Sequence, residues 1–291
     1  MHVPVMLDEV LELLNIRPDG TYIDATLGGG GHSEAVLRSL KGGKLLAVDQ
    51  DPQMAREARA RLAALDGRIV VLEGNFAEID RLHAASGLPP ADGMLADLGI
   101  SSIQLEDASR GFSFERSGPL DMRMDPRSSP TAAELVNQSR ESDLADLIFR
   151  LGEERHSRRI ARAIMGARPI QSTTSLAQVV MRAIPFRAGH HHIHPATRTF
   201  LALRLAVNRE LDSLVEFLAR ALSVLSPQGR LVILSFHSLE DRLVKQAFQR
   251  WRSDGLARIL TPKPLRPSKE EVRTNPRSRS AKLRAAEKIA A

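Results

Sequence analysis

The 291-residue sequence contains no cysteine. Disulfides, thiolate metal sites and cysteine nucleophiles are thereby excluded, and a reducing cytosol is the expected compartment. No apolar run approaches the length of a membrane-spanning helix. The first residues, Met1-His-Val-Pro-Val-Met-Leu-Asp-Glu, lack the basic start and long apolar stretch of a signal peptide. Internal repeats are also absent. Charge is present but unevenly spread. The net charge is +6, and nine basic against three acidic residues lie between Lys263 and Lys288, so the whole excess sits there. Apolar residues make up 43%, enough for a sizeable core.

The strongest pattern lies near the start. A short apolar strand leads into Asp24-Ala-Thr26-Leu-Gly28-Gly29-Gly30-Gly31-His32-Ser33, then a helix-like stretch, then a second strand ending at Asp49. Strand, glycine loop, helix, strand and acid is the order in which a parallel α/β sheet holds a nucleoside cofactor. The glycines let backbone N–H groups approach a ligand. Asp49, 21 residues after Gly28, is placed to accept hydrogen bonds from ribose hydroxyls. The spacing favours S-adenosylmethionine over a dinucleotide. A pyrophosphate site spaces its glycines G-x-G-x-x-G against a helix N-terminus. Here the run is unbroken and Asp24 stands four residues ahead of Gly28. A carboxylate there repels a pyrophosphate and suits a cation, such as the amino group of a methionine moiety. A ligand-free turn explains the run less well, because four glycines lose much backbone entropy on ordering.

Apolar runs at 22–25, 44–48, 69–72 and 93–96 alternate with helical patterns at 33–40 and 52–64, the latter opening on Pro52. This alternation implies a parallel sheet covered on both faces. A further buried strand is expected at 230–234, after the turn signal Pro227-Gln-Gly229. More than 130 residues separate it from the run at 93–96, far more than a crossover needs. They contain Gly/Pro/Ser punctuation at 111–130 and helical patterns at 131–137, 141–168 and 176–184. The expected fold is therefore α/β: a sheet domain of residues 1–105 and 196–291, with an all-helical domain inserted at 106–195. Residues 197–225 read as one long helix returning to the core.

Ligands of open α/β sheets lie beyond the carboxyl ends of strands. That places Asp97, in Asp97-Leu-Gly99-Ile-Ser101-Ser102-Ile-Gln104, beside whatever the glycine loop holds. An exocyclic amine of a nucleobase is a poor nucleophile because its lone pair is delocalised into the ring. Acceptors that take its N–H groups localise that pair, and Asp97, Ser101 and Ser102 are candidates. The alternative is a turn in which Asp97 caps a helix. Three more polar clusters stand out: His194-Pro-Ala-Thr197-Arg198, Ser235-Phe236-His237-Ser238-Leu-Glu240-Asp241-Arg242, and Asn275-Pro276-Arg277-Ser278-Arg279-Ser280-Ala-Lys282-Leu-Arg284. Arg155, Arg158, Arg159 and Arg162 recur at helical spacing, as an RNA-backbone stripe or a solvated face. The basic segment 263–288 is either a phosphate-contacting element or a solvated, partly disordered terminus. His190, His191 and His192 are adjacent, so they do not converge easily on one ion, and no metal is expected.

These segments together resemble the family of ribosomal RNA small subunit methyltransferase H, also called MraW. The resemblance is carried by His2-Val-Pro4-Val5, Asp24-Ala-Thr26-Leu-Gly28 with Gly30-Gly31-His32-Ser33, and Asp97-Leu-Gly-Ile-Ser101-Ser102. It continues through Gly111-Phe112-Ser113-Phe114, Leu120-Asp121-Met122-Arg123-Met124, Gly152-Glu153-Glu154 and the three polar clusters, spanning nearly the whole chain in one order. It implies a Rossmann-like, S-adenosylmethionine-dependent methyltransferase sheet domain with an inserted helical domain. The implied reaction is methylation of N4 of a cytidine in 16S rRNA near the decoding site. The family's cofactor contacts carry over onto Gly30, Gly31, His32, Asp49, Phe76, Asp97 and Gln104. Asp24 and Gly28 join them from the loop pattern. Two departures stand out. Leu201 replaces the family's Gln after Thr199-Phe200, and no Pro-Pro-aromatic follows Asp97. Phe112, Phe114 and Phe236 are then the candidates to stack on the base.

The expected catalytic set is Asp97, Ser101, Ser102 and His237. The expected substrate contacts are Arg155, Arg159, His194, Arg198, Arg277, Arg279 and Lys282. The partner is the small ribosomal subunit or its assembly intermediate, with a homodimer as an open option and no membrane. Two rival readings stay in view. Methylation of a protein or small molecule is disfavoured by the basic tail and the arginine stripe. An assembly factor without essential chemistry would keep its activity after Asp97→Ala.

Overall fold

The structure is a computed structural model and describes residues 4–62, 65, 67–184 and 194–290. His190, His191 and His192 lie outside the described residues. The chain divides into two compact units, Met1–Ile100 with Leu211–Ala291, and Ser101–Glu210. The first unit opens with α1 (Leu7–Leu14), β1 (Thr21–Asp24), α2 (Gly31–Ser39), β2 (Lys44–Asp49) and α3 (Pro52–Leu62). It continues with β3 (Ile69–Glu73), α4 (Ile79–Ser86) and β4 (Ala91–Asp97). The second unit holds α5 (Ser102–Glu106), α6 (Ala132–Gln138), α7 (Glu141–Gly152), α8 (Ser157–Ala167), α9 (Thr173–Ala183) and α10 (Thr197–Val207). The chain re-enters the first unit through α11 (Glu210–Arg220), β5 (Leu225–Ser235), α12 (Ser238–Ser253), β6 (Ala257–Ile259), α13 (Lys269–Thr274) and β7 (Lys282–Lys288).

The strands form one sheet in the order β3-β2-β1-β4-β5-β7-β6. β1 to β5 pair in parallel, and β7 runs antiparallel to both β5 and β6. Successive side chains of a strand point to opposite faces, and each face has its own core. Ile23, Leu46, Met94 and Ile233 pack with Phe217 and Phe248. Tyr22, Leu45, Leu95 and Leu234 pack with Val10, Val36 and Leu37. The strand order reverses between β1 and β4. Such a switch point opens a crevice at the carboxyl ends of the strands, so the loop after β1 and Asp97 at the end of β4 meet there.

Strand β7 departs from the reading of the basic terminus as a solvated or phosphate-contacting tail. Leu283, Ala285 and Ala286 are buried in it, and Arg284 is only 7% exposed. Its apolar alternation is hidden among charges that are neutralised inside the fold. Asp241 on α12 accepts from Arg284 Nε at 2.7 Å and from Lys282 Nζ at 3.1 Å. Burial works against the Asp241 carboxylate, yet these bonds hold its pKa below the ordinary value.

Residues 197–225 are also not one helix. α10 and α11 are separated at Asn208 and Arg209, the latter at φ 50°. The Asn208 amide donates to Met122 O at 2.8 Å and accepts from Met124 N–H at 2.7 Å. α10 belongs to the helical unit because it crosses α7 closely: a Cβ at Gly152 would stand 2.6 Å from Arg198 O. The units divide at Ser101 and Leu211, so α5 and α10 go with the helical unit.

Asp241→Ala leaves two inward-facing cations without their carboxylate. It should lower the unfolding free energy by about 3–5 kcal/mol, read as a shifted urea midpoint.

Candidate active site at the sheet switch point

β1 ends at Asp24, which is 2% exposed. Ser33 Oγ donates to its Oδ2 at 2.6 Å and Thr26 N–H to its Oδ1 at 3.2 Å, which folds the loop back onto the first turn of α2. Burial pushes the Asp24 carboxyl up, with the Ser33 bond opposing. Gly28 and Gly30 sit at φ 48° and 76°, left-handed values at which a side chain is strained. Gly31 is needed for space instead, since a Cβ there would lie 2.6 Å from Pro4 Cγ. Gly28 N–H donates to Asp49 Oδ2 at 2.7 Å and Asp51 N–H to Asp49 Oδ1 at 2.8 Å. Asp49 thus ties the glycine loop to the end of β2. Burial raises its pKa to about 7, against the pull of these two N–H groups.

Asp97 closes β4. Although 26% of its side chain is exposed, Oδ1 is itself buried and has no hydrogen-bond partner among the described residues. Its Oδ2 stands 3.6 Å from His32 Nδ1. Burial raises the Asp97 pKa to about 6; His32 opposes the rise, and Asp24 and Glu240 add to it. Glu240 is 3% exposed and accepts from the N–H groups of Phe236 at 2.8 Å and His237 at 3.3 Å. Two further acids, Asp24 and Glu240, therefore act on Asp97 against the single favourable influence of His32. Buried acceptors need a donor or a cation. An excess of acid with an orphaned carboxylate oxygen fits a cofactor carrying a sulfonium and an ammonium group. Asp49 stands ready for its ribose hydroxyls.

Asp24, Gly28, Gly30, Gly31, His32, Asp49, Phe76 and Asp97 all belong to the sheet unit. The Phe76 ring is half-buried after β3 and braced edge-on by Phe217, centroids 5.1 Å apart. Ser101, Ser102 and Gln104 belong to the helical unit. Ser101, not Asp97, is the cap: its Oγ accepts from Gln104 N–H at 3.1 Å, while Gln104 Oε1 accepts from Ser101 N–H at 2.9 Å. His237 similarly caps α12, with its Nε2 3.1 Å from Glu240 Oε1. Among the rings considered for base stacking, Phe112 is buried, and Phe114 lies 4.5 Å from His194 and 4.9 Å from Phe200. Phe236 is half-buried directly after β5 in the sheet unit.

The arginine stripe is shorter than its spacing implies. Arg155 precedes α8, leaving exposed Arg158, Arg159 and Arg162 on the helix, the last 3.5 Å from Glu141. Arg198 reaches Glu153 O at 3.4 Å and Glu154 Oε2 at 3.7 Å, which joins two of the sequence clusters. Arg277 and Arg279 are exposed between α13 and β7, whereas Lys282 pairs with Asp241. Leu201 is half-buried on α10. Two participants had no signal as such in the sequence. One is the Glu240 carboxylate, seen there only as part of a polar cluster. The other is the Val5 carbonyl, which lies 3.0 Å from His32 Nε2.

Asp49 must be ionised to accept two ribose hydroxyls. With its pKa at about 7 in the free chain, affinity for S-adenosylmethionine should fall as pH drops below that value, and binding at lower pH should release a proton. Asp49→Asn should remove this dependence and weaken binding by about 1.5–3 kcal/mol. Calorimetric titration in buffers of different ionisation enthalpy checks both.

A family model described as the MraW methylase family matches residues 1–289. Ribosomal RNA small subunit methyltransferase H of Syntrophobacter fumaroxidans is 52% identical, over 99% of this chain and 96% of that protein. The protein of the same name from Acidobacterium capsulatum is 50% identical, over 99% and 98%. Among solved structures, an rRNA methylase from Streptococcus thermophilus is 12% identical at a TM-score of 0.44, covering 98% of this chain and 94% of its own. With half of its residues shared along its whole length, the chain belongs to the MraW methylase family.

Proposed function

We propose that this chain methylates the exocyclic N4 of a cytidine in 16S rRNA, near the decoding site, using S-adenosylmethionine in the cytoplasm. The observation that carries the reading is the buried, unpartnered Asp97 Oδ1 at the switch point, one loop away from the glycines. Asp24, Gly28, Gly30, Gly31 and Asp49 hold the cofactor, and Phe76 walls the adenine. When bound, the cofactor supplies an electrophilic methyl group on a sulfonium. Asp97 accepts a hydrogen bond from the target amine. With that N–H held, the nitrogen lone pair is drawn out of conjugation and aimed, and positioning of this kind supplies much of the rate. Asp24 and Glu240 keep the crevice at negative potential, which stabilises positive charge as it develops on nitrogen. The name shared by these relatives points to small-subunit rRNA as the substrate. Arg158 and Arg159 on α8, together with Arg277 and Arg279, present exposed cations to phosphates. No helix among the described residues is long and apolar enough to cross a membrane.

Asp97→Asn preserves shape but removes the anionic acceptor. The single-turnover rate on purified small subunits, with both components saturating, should fall by about 100-fold or more, while cofactor affinity changes less. Mass-spectrometric mapping of 16S rRNA nucleosides with and without the protein should show one N4-methylcytidine that depends on it. A methyl group on carbon or on protein refutes the assignment.

Reversing Arg277 and Arg279 to Glu should weaken small-subunit binding and flatten its salt dependence by about 0.7 per lost phosphate contact, with cofactor affinity untouched. Lys282 is left intact in this test because it neutralises Asp241.

A further inference from the structure

The N-terminal segment lies against the glycine loop. Pro4 packs where a side chain on Gly31 would stand. Met6 N–H donates to Glu271 Oε1 at 2.7 Å, which fastens the segment next to α13. Between these two anchors, Val5 turns its carbonyl oxygen to His32 Nε2 at 3.0 Å. The His32 residue is 6% exposed. A carbonyl oxygen only accepts, so Nε2 carries the proton. In the neutral ring the lone pair then lies on Nδ1, the atom 3.6 Å from Asp97 Oδ2. Two acceptors face each other with room for one proton between them. The other charged groups acting on Asp97 are Asp24 and Glu240, both acidic, and both favour a proton in this pair. Each is already engaged elsewhere, Asp24 with Ser33 and Thr26, Glu240 with the N–H groups of Phe236 and His237.

We infer that the Val5 carbonyl fixes His32 in its Nε2–H form, so that Asp97 and His32 Nδ1 act as one proton-accepting pair for the amine being methylated. The inference rests on the N-methylation reading above. The amine nitrogen contributes its lone pair to the new N–C bond, and the electron pair of the broken C–S bond stays on sulfur, leaving a neutral thioether. The nitrogen then carries a positive charge and one proton too many. That proton passes to the Asp97 carboxylate, with His32 Nδ1 facing it as the second acceptor. It leaves to water when the methylated base departs. Asp97, which touches the amine, is the catalytic residue, and His32 is a positioning residue acting through it.

Nitrogen-15 NMR of the full chain with labelled histidine, free of cofactor and RNA, tests the arrangement directly. The expected result at neutral pH is a His32 ring protonated at Nε2 and bare at Nδ1, retained in Asp97→Asn because Val5 sets the tautomer. A ring protonated at Nδ1 overturns the inference. His32→Asn supplies a second arm: its amide fills the place beside Asp97 but takes up no proton. Its saturating single-turnover rate should fall about 100-fold at neutral pH and keep rising with pH where wild type is flat. A wild-type rate and profile in this variant also overturn the inference. If the wild-type chain methylates an atom other than N4, the functional reading fails instead, whatever tautomer His32 shows.

Discussion

The hydrogen bond from Asp97 N–H to Thr26 Oγ1, 2.6 Å long, joins the two halves of the site. Thr26 stands in the loop after β1 and Asp97 at the end of β4, on either side of the point where the strand order reverses. At such a point neighbouring connections run to opposite faces of the sheet, and the backbone groups at the strand ends need other partners. Ala25 N–H finds Leu95 O at 2.8 Å, Leu27 N–H finds Val48 O at 2.8 Å, and Asp97 N–H finds the threonine hydroxyl. Register between the glycine loop and Asp97 is therefore set by the sheet itself. A sheet buried on both faces moves little, and the distance between donor and acceptor of a methyl group tolerates little movement.

The same crevice is electrostatically costly. Asp49 and Asp97 have pKa values of about 7 and about 6, both raised chiefly by burial. An acid whose pKa is higher folded than unfolded binds more protons in the native state between the two values. Its contribution to stability is present at low pH and lost as pH rises through the folded pKa. Near neutral pH these two carboxylates therefore work against folding of the empty chain, and the rest of the core must offset them. On the proposed function, binding of a cationic cofactor relieves the strain, so the groups that weaken the free protein are those that favour the ligand. This is a common relation between active sites and stability.

The parts of the fold legible in sequence were the local ones. The run from Tyr22 to Asp49 announces itself because strand, turn, helix and strand follow one another, and each carries its own composition. Asp97 was placed correctly for the same reason, as the residue ending an apolar run. The failures share a different cause. Lys282 and Arg284 look like solvent-facing charge until Asp241, some forty residues earlier, is brought beneath them. The interruption between α10 and α11 depends on Asn208 reaching Met122 and Met124 in a distant loop. The Val5 carbonyl is a backbone atom, and no side chain reports what a backbone atom will accept.

The place of β7 in the sheet has a consequence for how the chain is made. β5 is a long, largely buried strand, and one of its edges is covered only by residues 282–288, which the ribosome adds about fifty residues later. Until they emerge, that edge presents a row of unpaired N–H and C=O groups, the feature that recruits strands from other molecules. Asp241 meanwhile waits in the growing chain for the two cations that neutralise it. The helical unit lies wholly upstream and can pack during synthesis, whereas the cofactor-binding sheet closes only afterwards. A nascent chain halted before β7 would therefore carry the complete glycine loop and Asp97 but an open, aggregation-prone sheet.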